Sequence, residues 1–261
     1  MIEPVKLVFA HRSLLFRAVK DVIRQRNAGS ILGSAWLVLS PLVFLGAYTV
    51  IYLFVFRLRP TGMTATHYIL HIFSGLVPFL FMSEAIGAGM GSIDANKNLL
   101  RNTVFPASLL PVRAVLASMP TYLFSMAILI VWSLVESPSW AMLAVFPIMV
   151  MQVAFVVGVS WVLSLLVLLV RDIRNVYSHC ILLLMIASPI AYTPDMIPAK
   201  LRPLLWLNPF GYFVIGTQTC LAHGSLPPAD LATLLVASTV VLFLGGHAFF
   251  ESFKKAVGNY A

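Results

Sequence analysis

No charged side chain occurs from Ala141 to Val170, from Ile31 to Phe56, or from Ala114 to Val135. Runs of this kind fix the solvent before they fix the fold. A helix of about 20 apolar residues crosses a hydrocarbon core of roughly 30 Å. Three further stretches are nearly as apolar: Tyr68–Ile93, interrupted by His71, Pro78 and Glu84, then Val176–Thr193 and Leu231–Phe250. Only 10% of the 261 residues are charged and 60% are hydrophobic, where soluble domains carry about a quarter charged. The chain therefore reads as an all-α integral membrane protein with six transmembrane helices. A short N-terminal segment, 1–30, precedes the spanning domain, 31–261.

Charge placement sets the orientation. The excess of 17 Lys and Arg over 9 Asp and Glu reports membrane orientation and lipid headgroups rather than nucleic acid. Six spans put both termini on one side, together with Lys6, Arg12, Arg17, Lys20, Arg24 and Arg26, the segment 94–113, the Arg171–Arg174 turn, and Lys254 and Lys255. Arg57, Arg59, Lys200 and Arg202 fall on the other. By the positive-inside rule the first side is cytoplasmic. Residues 201–222 as a seventh span would carry Lys254 and Lys255 outside. Asn208-Pro209 and Gly211 also divide that segment, so it reads as re-entrant helices on the outer side, over 196–222. Such broken helices are tolerated where protein or a wet cavity surrounds them.

Residues 4–28 carry a helical stripe. Leu15, Phe16, Ala18, Val19, Val22 and Ile23 share one face, and Ser13, Arg17, Lys20, Asp21 and Arg24 the other. That pattern describes a helix lying in the membrane interface. No cleavable signal peptide is expected. Cys180 and Cys220 have no paired or metal-ligand spacing.

Chemistry-bearing motifs are sparse. No phosphate loop is present, so nucleotide binding is not expected of this chain. Gly87 and Gly91, four apart, read as a close helix-packing face. His67 and His71 stand one helical turn apart with Glu84 farther along, but HExxH is missing and no third ligand is near in sequence; a metal site is not expected. Glu84 inside a span must face a cavity or a hydrogen-bonding partner. Phe44, Tyr48 and Tyr52 recur every four residues, giving an aromatic stripe that either packs or stacks on passing sugar rings. Trp206, Phe210, Tyr212 and Phe213 add aromatic surface near the outer gate. Between spans two and three, Asp94, Asn96, Lys97, Asn98, Leu99, Leu100 and Arg101 read as a short surface helix, roughly Asp94 to Asn102. The Phe105-Pro106 bend ends it, and Pro111 restricts the chain before span three. Such a knob suits docking into a groove on a soluble partner.

Several of these stretches resemble one family. Gly29-Ser30-Ile31-Leu32-Gly33-Ser34-Ala35-Trp36 with Ser40-Pro41, Gly75-Leu76-Val77-Pro78-Phe79, Asn102-Thr103-Val104-Phe105-Pro106 continuing to Leu109-Leu110-Pro111, Arg171-Asp172, Pro189-Ile190 with Ile197-Pro198, and Asn208-Pro209 stand in the order found in permeases of polysaccharide-exporting ABC transporters. The resemblance implies a homodimer of six-span subunits in the bacterial inner membrane, paired with two copies of a separate ABC ATPase subunit that binds ATP and Mg. The cargo implied is a lipid-linked polysaccharide: O-antigen, capsule or teichoic acid, with the VFP…LLP form nearer the O-antigen branch. It also implies that Asp94–Asn102 is the coupling helix, that residues 4–28 form the interface helix and that 196–222 is the outer gate; with that frame Arg24, Arg26 and Arg171 are expected at the coupling surface, and Phe44, Tyr48, Tyr52 and Glu84 along the path. The resemblance assigns no catalytic residue or cofactor to this chain. A drug or lipid exporter of the same architecture, and a membrane enzyme using His67, His71 and Glu84, are the alternatives.

Overall fold

The bundle is built around one helix, Ala65–Met90, which is apolar on every side and 83% buried along its most apolar stretch. A helix with no polar face has to be surrounded. The computed structural model describes residues 3–26, 30–51, 64–102, 105–193, 196, 198, 200 and 202–260, and among them the only regular structure is helical. In order the helices are α1 (Glu3–Ala10), α2 (Arg12–Arg26), α3 (Trp36–Val50), α4 (Ala65–Met90), α5 (Ser92–Ala95), α6 (Lys97–Asn102), α7 (Leu109–Glu136), α8 (Val145–Leu169), α9 (Ile173–Ala187), α10 (Pro209–Leu221) and α11 (Ala229–Tyr260). α7, α8 and α10 enclose α4, α11 lies along α8, and α2 and α3 lie on α7.

Four helical segments among the described residues are long and apolar enough to cross a membrane: Ala65–Met90, Leu109–Glu136, Trp140–Leu169 and Ala229–Lys254. The chain is a multi-pass membrane protein. Its expected first and fifth spans correspond to shorter helices of 15 residues each, α3 and α9. Span three begins earlier than its charge pattern predicts. α7 opens at Leu109, so Arg113 lies inside it and Pro111 falls in its first turn, where a missing N–H removes no helical bond. Residues 202–222 form a 3-10 turn, Arg202–Leu207, and then α10, whose 13 residues span about 20 Å, too little to cross. Asn208-Pro209 starts this helix rather than interrupting one: the Asn208 side chain accepts from Phe210 N at 3.1 Å and donates to Ser188 Oγ at 2.8 Å, with Pro209 at the first helical position.

The expected single helix over 4–28 is two, divided at His11. α2 has the predicted two faces: Leu15 is buried, Ala18, Val19, Val22 and Ile23 are half-buried, and Ser13, Arg17, Lys20, Asp21 and Arg24 are exposed. Phe16 departs from the stripe at 72% exposed. Residues 27–29, which follow α2, lie outside the described residues.

Close packing is set by other glycines than the expected pair. A Cβ on Gly87 would meet Tyr177 at an ordinary 3.6 Å, and one on Gly91 would meet only its own helix. A Cβ on Gly89 would overlap Ser160, one on Gly158 would overlap the Leu242 carbonyl, and one on Gly246 would overlap the Gly158 carbonyl. α8 and α11 thus touch backbone to backbone, the small-residue contact that substitutes for hydrophobic drive inside a bilayer.

Candidate coupling surface and translocation cavity

The basic segments converge on one end of the bundle, although they are distant in sequence. Lys6 and Lys254 line the same cleft as the Pro106–Ser108 turn, Arg113 reaches Asn96, and Arg174 reaches Asp94. At the opposite end Tyr68 Oη donates to Ala191 O at 3.0 Å and Ser139 Oγ to Gly224 O.

At the basic end, the surface helix expected over 94–102 is broken. α5 follows α4 after Gly91, the backbone turns at Asn96, and α6 resumes at Lys97. Polar bonds brace the break. Asn96 Nδ2 donates to Ser92 O at 2.7 Å, and its Oδ1 accepts from Arg113 Nη2 at 2.6 Å. The guanidinium of Arg113 also stands 6.0 Å from the Phe105 ring centroid, within cation–π reach. Asp94 accepts from Lys97 Nζ at 3.1 Å and from Arg174 Nη2 at 2.7 Å. Hydrogen bonds from Lys97, then Arg174, hold the Asp94 carboxyl below its ordinary range. The loop after α4 is therefore tied both to the first turn of α9 and to α7. Asn98, Arg24 and Arg171 are exposed and Leu100 packs half-buried on the core; the side chains of Leu99, Arg101 and Arg26 lie outside the described residues. Arg174 was missed by sequence reasoning, which settled on Arg171. The RDIR turn contained both, but a loop gives no periodicity to tell which arginine points at the partner.

Phe44 and Glu84, 40 residues apart in sequence, come together. They line a cavity of about 300 Å³ between α3, α4 and α7 whose wall also carries Ser40, Ser83, Ser118 and Thr121. With Tyr122 and Ser125 six lining residues bear hydroxyls, and Pro41, Leu45, Val77, Leu80 and Phe81 make the rest of the wall apolar; the polar strip gives Glu84 the surrounding that an ionisable group inside a span requires. Tyr52 and the Tyr48 side chain lie outside the described residues. Tyr177 Oη donates to Ser83 O at 2.6 Å, fastening α9 beside this cavity.

The aromatic residues of the expected gate have two environments. Phe210 and Phe213 are core: Phe210 faces Phe79 at 5.5 Å and Phe213 faces Phe155 at 5.2 Å between ring centroids. Trp206 is exposed, and Tyr212 donates to its carbonyl. The segment is anchored by a residue that sequence reasoning did not single out. Gln218 Nε2 donates to His71 O at 3.2 Å and to Pro189 O and Ile190 O, each at 3.1 Å. Gly75 of the GLVPF stretch is what admits it, since a Cβ there would stand 2.5 Å from that nitrogen. Gln152 does the same about two turns farther along α4, donating to Pro78 O at 2.9 Å while accepting from Tyr122 Oη.

His71 is packed inside the bundle. It is buried, and His223, just beyond α10, lies 5.3 Å from its ring centroid and 6.2 Å from that of His67. Among the described residues no group of three or more His, Cys, Asp or Glu is arranged to hold a metal ion. Glu84 is thirteen residues along α4 from His71, about 20 Å, so His67, His71 and Glu84 form no common site.

Residues 13–221 match the ABC-2 type transporter family. The chain belongs to that family. Among curated relatives of this ABC-2 type transporter, an O-antigen export system permease protein RfbA of Myxococcus xanthus is 26% identical over 260 residues, 98% of each chain. Two proteins of the same name from Klebsiella pneumoniae are each 28% identical over 235 residues, 89% of this chain and 88% of theirs. The ABC-2 match covers the braced loop, the hydroxyl-lined cavity and α10.

Proposed function

We propose that this chain is the channel-forming permease of an ABC transporter that exports a lipid-linked polysaccharide, O-antigen foremost, across the bacterial inner membrane. The observation that carries this reading is the end-to-end likeness to permeases named for O-antigen export. Two copies pair as a homodimer, each resting on one copy of an ATPase subunit that binds ATP and Mg; this chain hydrolyses nothing itself. α3, α4, α7, α8, α9 and α11 are the six spans, and the 202–207 turn with α10 is the re-entrant outer gate. The basic end faces the cytoplasm, with both termini there, and α1 and α2 lie at the inner interface. α3 and α9 present unpaired apolar side chains (Leu42 and Val43, Leu182 and Ile186), which supports their meeting a second copy around the channel.

In this reading the 92–102 loop is the lever. Closure of the ATPase dimer pushes α5 and α6, and the Asp94–Arg174 and Asn96–Arg113 bonds pass the push to α9 and α7. α7 lines the cavity of Phe44 and Glu84 and α9 is fastened beside it through Tyr177; that cavity is the start of a path continued by Tyr48 and Tyr52, where aromatic faces and hydroxyls offer weak, repeated contacts to successive sugars.

The test is complementation. The full chain, expressed with the ATPase that co-purifies with it, is expected to restore surface O-antigen to a strain lacking its own permease. Lys97→Glu with Arg101→Glu should insert normally yet abolish export. Restoration of capsule but not O-antigen would move the cargo to the capsule branch, and normal export by the double variant would refute the lever.

A further inference from the structure

α1 crosses the basic end of the bundle with a different cavity along each edge. On one side is a cleft of about 470 Å³ whose wall includes Lys6, Ser108, His247, Phe250, Glu251 and Lys254. On the other is an apolar groove of about 450 Å³ lined in part by Val8 and Phe9 of α1, Leu116 of α7, Val153 of α8 and Phe243 of α11. Phe243 of the groove and His247 of the cleft pack on one buried ring. The indole of Trp161 lies 5.3 Å from Phe243 and 5.1 Å from His247, one turn apart on α11, and is fixed by a 2.8 Å bond from Nε1 to Ser108 O. His247 is only 7% exposed, and its Nε2 is buried with no hydrogen-bond partner among the described residues. A ring nitrogen left that way calls for a polar ligand.

The charges define the ligand further. Glu251 pairs with Lys254, so the two lysines and one carboxylate leave a single net positive charge at the cleft. That balance suits a monoanionic phosphodiester rather than a dianion. An anionic head beside an apolar groove, at the interfacial end of a membrane bundle, has the form of a phospholipid. We propose that this paired cleft and groove binds one anionic phospholipid, its phosphodiester held by Lys6, Lys254 and the Nε2–H of His247 and an acyl chain lying in the groove under α1. The lipid fastens α1 to α8 and α11. The inference is independent of the cargo assigned above.

The experiment uses the purified full chain with its co-purifying subunit, delipidated in detergent and exposed to defined phosphatidylglycerol or phosphatidylcholine, with bound lipid counted by native mass spectrometry. Expected is one phosphatidylglycerol retained per chain, preferred over phosphatidylcholine by roughly fivefold, the contribution of the one lysine charge that Glu251 leaves uncompensated. Lys6→Gln with Lys254→Gln should bring that preference near parity, and Val8→Trp, which fills the groove, should reduce retention of both lipids. Equal retention of the two lipids by the wild type, an unchanged preference in the lysine variant, or undiminished binding in Val8→Trp would overturn the proposal. Displacement of phosphatidylglycerol by millimolar inorganic phosphate would also overturn it, reassigning the cleft to free phosphate.

Discussion

Reversing the charge at Asp94 separates a lever from an ordinary surface loop. The Asp94 carboxylate bridges Arg174 at 2.7 Å and Lys97 at 3.1 Å, with the Asp94 and Arg174 side chains 35% and 45% exposed. A pair that open to water is worth about 0.2–1 kcal/mol. Losing it leaves the fold standing but shifts the balance between tied and untied loop by up to roughly fivefold. Asp94→Arg also introduces repulsion toward Arg174 and Lys97, of order 1 kcal/mol at 4 Å in water. The combined change of about 2 kcal/mol corresponds to as much as roughly thirtyfold. In vesicles containing the assembled transporter, polysaccharide exported per ATP hydrolysed should fall by five- to thirtyfold (~5–30, from those same terms), while ATP hydrolysis and thermal midpoint hold. Asp94→Arg combined with Arg174→Asp should recover about threefold, partially because Lys97 then faces a like charge. Raising ionic strength from about 0.1 to 1 M shortens screening from about 10 Å to about 3 Å and should lower the wild-type ratio toward that of the single variant. A double variant no better than the product of its singles, or wild-type export by Asp94→Arg, would show that this bond transmits nothing.

Three further outcomes follow from the same packing. Gly158→Ala forces a Cβ onto the Leu242 carbonyl and should destabilise the bundle by about 1–3 kcal/mol. Gly87→Ala, whose Cβ would make only an ordinary contact with Tyr177 at 3.6 Å, should be neutral or stabilising by up to about 1 kcal/mol; equal thermal midpoints for the two would refute the α8–α11 contact. Gln218→Leu removes the donor shared by His71, Pro189 and Ile190. It should cost about 1–3 kcal/mol in denaturant titrations in detergent, and an unchanged midpoint would mean α10 is held by its apolar face alone. The Asp94 bond should be insensitive to pH from about 5 to 9. Its carboxyl is held low by Lys97 and Arg174, so the stabilisation is complete above the ordinary carboxylate value of about 4 and disappears only as acid titrates the folded group. A coupling ratio that changed markedly between pH 6 and pH 8 (about two units above that value or more) would point to another group.

Composition and spacing alone marked the long apolar helices and the basic segments, but not the start of α7 or the breaks at His11 and Asn96. Charge-free runs have no stable state but a buried or membrane-embedded helix, and each excess lysine or arginine costs too much to carry across, so both signals act on every segment separately. The stripe on α2 was legible for the same reason, being satisfied within a few turns of chain, whereas Asn208-Pro209, read as a division, proved to be the start of α10. What sequence did not disclose are the partnerships between helices. The break at Asn96 depends on Arg113, the brace on Asp94 comes from Arg174, and the tolerance for Gln218 exists only because Gly75 lies opposite. The tight glycines proved to be Gly89, Gly158 and Gly246, because a small residue matters only where another backbone arrives. Those choices were made when whole helix faces met in three dimensions, an event no run of neighbouring residues encodes.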